Sequence, residues 1–150
     1  VDRGLMVIPT FVQGQRGDLT YQIEHNQVKI RPTVEGDQLG MVIDLNLRLD
    51  LSESGTLRLN FDDPKVIKSL EERVNIAVSG QTQSLLQKIQ REYNTDVLGF
   101  GLLLKRKHPN VWRAFAHNWD EVFKQLEVTV NVNAKIVSTG IISEAIHLRN

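Results

Sequence analysis

The residues able to do chemistry are few and scattered. Four histidines, His25, His108, His117 and His147, fall in different segments, and none forms the close helical pair that a zinc site uses. Asp62-Asp63, Glu71-Glu72 and Asp120-Glu121 are adjacent pairs. Neighbours in sequence point in different directions on a helix or serve as caps, so they are not the facing carboxylates that acid and base work requires. No serine sits in a nucleophile elbow, and Gly99-Phe100-Gly101 lacks the further glycine and the preceding strand of a dinucleotide loop. The absence of cysteine excludes thiol catalysis, disulfides and thiolate metal sites. The sequence therefore predicts no enzyme, no metal and no cofactor.

What remains is one segment, from Tyr93 to Phe123. An Asn94-Thr95-Asp96 break precedes Gly99-Phe100-Gly101, where the two glycines free the backbone on either side of an aromatic ring. Asp96 is placed to accept hydrogen bonds from amides at the start of a helix near Val97, or, alternatively, to bind a ligand. Lys105, Arg106, Lys107 and His108 form the only dense positive patch. Its two readings are cationic termination of a helix, which complements the helix dipole, and contact with phosphate or an acidic partner. Pro109 then suits a first helical turn, and Trp112, Phe115, Trp119, Val122 and Phe123 recur at helical spacing. That stripe is read as core, with a ligand-stacking platform as the alternative.

In order and spacing this segment resembles the C-terminal domain of the Ger(x)C family, the lipoprotein subunits of nutrient germinant receptors in spore-forming bacteria. The resemblance rests on Glu92 to Gly101, Arg106-Lys107-His108-Pro109, Trp112, Asn118-Trp119-Asp120, Phe123 and the strand-like run Leu126 to Gly140, with weaker similarity back through Asp62 to Ile67 to the start. One departure is the run Leu102-Leu103-Leu104, where family members tend to carry a polar or acidic residue after the glycine turn, so no borrowed role is carried to those positions. The resemblance implies a lipid anchor outside this chain. It also implies two integral-membrane partners, the A-type and B-type receptor subunits, and a place at the outer face of the spore inner membrane.

Composition is compatible with such a piece. At 150 residues the chain is read as one domain, 1–150, able to bury a core of its own. Eighteen acidic and eighteen basic residues cancel, so no global field draws it to nucleic acid or to an anionic bilayer. The chain shows no charged leader, long apolar run or lipidation cysteine, and is read as a soluble fragment.

The elements that must position the segment follow from periodicity. Leu5 to Ile8 is a short apolar run, Gln13 to Asp18 reads as a loop, and Leu19, Tyr21 and Ile23 alternate with polar residues. Val28, Ile30 and Val34 continue the alternation, with Pro32 marking a sheet edge or bulge, before turn residues Gly36-Asp37 and Gly40. From Met41 to Leu51 and from Glu127 to Val137, apolar and polar residues alternate so that one face packs and the other meets water. Ser52 to Gly55 reads as a hairpin turn into Leu57, Leu59 and Phe61. Asp62 or Asp63 with Pro64 opens a helix over about 64–93, with apolar positions from Val66 through Leu85 and Ile89 to Tyr93 and a weak point at Gly80; a second helix is predicted over about 109–124. Strands, then helices, then a strand give an α+β fold, an antiparallel or mixed sheet with helices on one face. The function expected is a non-enzymatic assembly and signalling domain of a germinant receptor. The alternative is a stand-alone small-molecule binding domain with a pocket near Phe100 and Trp112.

Overall fold

The computed structural model describes residues 4–93 and 95–140; the possible docked tail at 141–150 lies outside them. The chain runs β1 (Leu5–Val12), β2 (Gln15–Glu35), β3 (Gln38–Glu53), α1 (Pro64–Glu92), α2 (Phe100–Lys107), α3 (Pro109–Phe115), a short 3-10 turn (Ala116–Asn118), α4 (Trp119–Gln125) and β4 (Glu127–Thr139). The strands form one sheet in the order β1-β2-β3-β4. Contacts divide the described chain into two compact units: residues 4–29, 44–79 and 131–140, and residues 30–43, 80–93 and 95–130.

β1 and β2 pair antiparallel from Leu5↔Gln22 to Val12↔Gln15. Gln13 and Gly14, both with positive φ, form the tight turn between them. The loop expected over Gln13 to Asp18 is thus only two residues long, and Gln15 to Asp18 belong to β2. β3 and β4 are related differently. Asn131 donates to Asp44 and Asn133 to Asn46, each across 87 residues of sequence, and Ser138 donates to Asp50 across 88. A constant difference in residue number marks parallel neighbours, so the sheet is mixed and its last strand needs the long helical crossover that precedes it.

The core of the first unit sits on the face that α1 covers. Ile8, Leu19, Tyr21, Leu47, Leu49, Leu51 and Ala134 from the strands meet Val66, Leu70 and Val74 from α1. Burial, reinforced by the negative charge of Glu71, pushes the pKa of the Tyr21 hydroxyl up, so the side chain stays neutral. Asp63 caps α1: its carboxylate accepts from the Lys65 amide at 2.9 Å, with Pro64 in the first turn.

Several expectations are corrected. Leu57 to Phe61 form no strand; this irregular segment is held by the Gln15 side chain, whose Nε2 donates to the Arg58 carbonyl at 2.9 Å while Oε1 accepts from the Arg58 amide at 2.8 Å. Leu57 is nonetheless buried, which is the source of its apolar alternation signal. Val28 and Val34 are exposed, because the register leaves β2 without a β1 neighbour beyond about Ile23. Gly40 lies within β3 and not in the turn. On α1, Leu85 and Tyr93 are exposed while Leu86 and Gln90 are buried. The inward positions are Val66, Leu70, Val74, Val78, Thr82, Leu86 and Gln90, a strict spacing of four. Such a row is inclined to a 3.6-residue helix and drifts away from the three-and-four stripe.

The free edge of β4 is closed by α1. Asn75 Oδ1 accepts from the Ala134 amide at 2.8 Å, and Glu71 Oε2 accepts from the Ile136 amide at 2.9 Å. Two helix side chains one turn apart thereby occupy donors that an edge strand otherwise offers to any extended chain. Replacing Asn75 by Ala leaves the Ala134 amide without its acceptor and is expected to cost about 1–2 kcal/mol, whereas Asn75→Asp retains the oxygen and most of the stability. Urea denaturation checks this. A loss under about 0.5 kcal/mol for Asn75→Ala, the range of ordinary surface changes, would show the cap to be dispensable.

Candidate functional site

The segment singled out by sequence lies in the second unit and closes on itself around Asp96. Its carboxylate Oδ2 accepts from the Gly101 amide at 2.6 Å and from Trp119 Nε1 at 3.1 Å. The first bond satisfies an amide in the opening turn of α2, a donor that has no partner within the helix. The second brings in a ring from α4. Oδ1 is buried and has no hydrogen-bond partner among the described residues.

The two glycines do different work. Gly99, just before α2, has φ 75°, a left-handed conformation that a Cβ disfavours. Gly101 is required by space: a Cβ there would lie 2.6 Å from Trp119 Nε1 and 3.1 Å from Trp112 Cζ3. The indoles therefore pack directly on the α2 backbone. Trp112 and Trp119 meet edge to face at 5.4 Å between centroids, and Phe100 and Phe123 do the same at 6.1 Å.

The helix predicted over about 109–124 is broken, contrary to expectation. α3 ends at Phe115, the turn Ala116–Asn118 is 3-10, and Asn118 leaves helical geometry at φ −136° and ψ 36° before α4 begins at Trp119. A tighter turn changes the angular phase of everything after it. The apolar residues consequently do not form one uniform stripe: Trp119 and Phe123 are buried, whereas Trp112, Phe115 and Val122 are half-buried. Likewise the helix placed near Val97 starts at Phe100, and Val97 is exposed.

Sequence reasoning missed Gln90. It is 8 % exposed, and its Nε2 donates to the carbonyls of Phe123 at 2.9 Å and Leu126 at 2.8 Å. One amide thus terminates α4 and fixes the start of β4. No local signal marks it, because an amide on a helix reads as solvent-facing and the expected stripe ran through Leu85, not Leu86.

Lys105, Arg106 and Lys107 form the last turn of α2 and are exposed, with His108 as the C-terminal cap. None of the three cations has a carboxylate partner among the described residues, in contrast to Lys124, which pairs locally with Glu121 at 3.5 Å. They are not brought to Asp96, whose neighbours are an amide and an indole. Four clefts among the described residues are lined without Phe100 or Trp112. Among those residues no group of three or more potential ligands is placed to hold a metal ion, and no helix is long and apolar enough to cross a membrane.

Comparison with known proteins identifies the family and the fold. A family model described as spore germination B3/GerAC-like, C-terminal, matches residues 1–140. The chain is 30% identical over 122 residues to spore germination protein YndF of Bacillus subtilis (strain 168), covering 81% of this chain and 30% of that protein. It is 23% identical over 138 residues to spore germination protein B3 of the same organism, covering 92% of this chain and 36% of the relative. The fold resembles the crystal structure of the GerBC protein, with a TM-score of 0.74 at 24% identity over 91% of this chain and 41% of that one. The chain thus spans about a third of the length of the curated relatives it matches.

The geometry separates the two glycines by experiment. Gly101→Ala must displace an indole and disturb the Asp96 bond, and is expected to cost about 2–3 kcal/mol. Gly99→Ala meets nothing within 4 Å and should cost only about 1 kcal/mol, the backbone term alone. Trp119→Ala should cost about 3–5 kcal/mol and exceed the loss for half-exposed Trp112→Ala. Denaturant melts of the four variants read the order; equal losses at Gly99 and Gly101 would contradict the packing described.

Proposed function

Since the chain belongs to the spore germination B3/GerAC-like C-terminal family, we propose that it is a non-enzymatic assembly and signalling domain of a nutrient germinant receptor. In this reading it is the C-terminal domain, spanning residues 1–150, of a longer lipid-anchored subunit. The anchor lies outside the chain. The partners are the integral-membrane A-type and B-type subunits, and the site of action is the outer face of the spore inner membrane.

The observation that carries the proposal is the presentation of Lys105, Arg106 and Lys107. They are exposed, and among the described residues without carboxylate partners, on a helix whose first turn is tied to Asp96 and Trp119. All three lie in the last turn of α2, where they complement the helix dipole while their exposed charges stay open to a surface contact. With zero net charge the chain has no general attraction to an acidic surface, so recognition rests on such local patches. Val97, just before α2, and Leu102, within it, are exposed and add apolar surface to the same segment.

Charge reversal at all three positions, Lys105→Glu, Arg106→Glu and Lys107→Glu, is therefore expected to impair receptor assembly and nutrient germination while leaving stability within about 0.5–1 kcal/mol of the parent. Germination rates of spores carrying the reversals, with protein level checked, provide the measurement. Normal germination at normal protein level would remove the patch from the contact surface.

A further inference from the structure

Away from Asp96, wholly within the unit of residues 4–29, 44–79 and 131–140, lies an open cleft of about 660 Å³. Phe11, Arg16, Gly17, Asp18, Thr56 and Arg73 contribute to its wall. That size falls in the range of small-molecule sites. Arg16 is held over the Phe11 ring, with its guanidinium carbon 5.2 Å from the centroid, which restricts a side chain that otherwise has many rotamers. Arg73 enters from α1. Neither guanidinium has a carboxylate or carbonyl partner among the described residues, and Asp18, though in the same wall, forms an ion pair with neither.

The wall is closely drawn where Thr56 passes β2. A Cβ on Gly17 would lie 2.9 Å from Leu57 Cγ and 3.1 Å from Thr56 Oγ1, so the absence of a side chain lets this hydroxyl reach the strand. Two guanidiniums, each a planar array of donors without an acceptor, together with a hydroxyl and an aromatic face, constitute recognition chemistry for an anionic oxygen group attached to an apolar body. Two positive charges against the one carboxylate of Asp18 leave the lining at +1. A ligand with a single anionic group matches that balance better than a polyanion.

We infer that this cleft binds a small organic anion, through a carboxylate or phosphate group held by Arg16 and Arg73 and an apolar portion lying against Phe11. This goes beyond the receptor-assembly reading and stands or falls separately from it, because the cleft shares no residue with the α2 patch. The test is an amide-resolved NMR titration of the 150-residue chain with benzoate and with phenyl phosphate, using benzyl alcohol and sodium chloride as controls. Saturable shifts at Gly17, Gly55 and Thr56 with either anion, absent with both controls, are expected, and the stronger of the two anions identifies the group. Arg16→Gln and Arg73→Gln, both at exposed positions, should each weaken binding about tenfold, the effect of losing one charge-assisted hydrogen bond, without lowering Tm. Shifts that fail to saturate, that sodium chloride reproduces or that survive both substitutions would overturn the proposal. So would saturable binding of a polyglutamate peptide when neither small anion binds, which would make the cleft a protein contact.

Discussion

Parallel pairing of β4 with β3 is the constraint on which the rest of the fold depends. Antiparallel neighbours can be joined by two residues, as β1 and β2 are at Gln13-Gly14. A parallel neighbour cannot, so the chain must travel the length of the sheet before pairing again. The helices α1 to α4 all occupy that single connection, between Glu53 and Glu127. The crossover is therefore where the fold has room for invention. Both the Asp96 arrangement and the basic turn of α2 lie inside it.

A crossover of several short helices creates many unpaired backbone groups, and this chain meets the problem with side chains that stand in for backbone. Gln15 mimics a neighbouring strand toward Arg58, giving and receiving one bond. Asn75 and Glu71 accept from the free edge of β4. Gln90 donates to the carbonyl end of α4, and Asp96 accepts from the amide end of α2. Each bond contributes only about 1 kcal/mol net, but leaving its backbone partner buried and unsatisfied costs about 1–3 kcal/mol. Their value is therefore in excluding other arrangements of the same short helices more than in raw stability.

That device also sets what sequence reveals. Apolar alternation locates β3 and β4, and Asp63-Pro64 locates the start of α1, because each is a local signal reinforced by burial. Asn75 and Gln90 give no local signal: an amide on a helix looks like solvent-facing surface until its distant partner is known. The same blindness put Leu57 to Phe61 into a strand, since a buried leucine in an irregular segment produces the alternation of a strand while the bonds that hold it come from Gln15. At the site, the spacing of Gly99, Gly101, Trp112 and Trp119 was legible as unusual. The division of labour between a left-handed glycine and a crowded one was not, because crowding at Gly101 depends on a 3-10 turn that shifts Trp119 out of helical phase.

The Asp96 bonds bear on the proposed surface contact through geometry. A cationic turn at the end of a free-standing helix samples many orientations, and a partner that bound it would bear the cost of ordering those side chains and the helix with them. Here the first turn of α2 is fixed by a carboxylate, and its inner face is fixed by Phe100 and Leu104, both essentially buried. The side chains of Lys105, Arg106 and Lys107 extend, exposed, from this fixed helix. Rigid placement of the helix lowers the entropic cost of recognition and makes the spacing of the charges, not merely their sum, available to a partner. In a chain of zero net charge, electrostatic selection of one surface over another rests on local patches of this kind. The half-buried acid that holds the start of α2 and the exposed bases at its end thus act together, the first supplying the geometry through which the second can be specific.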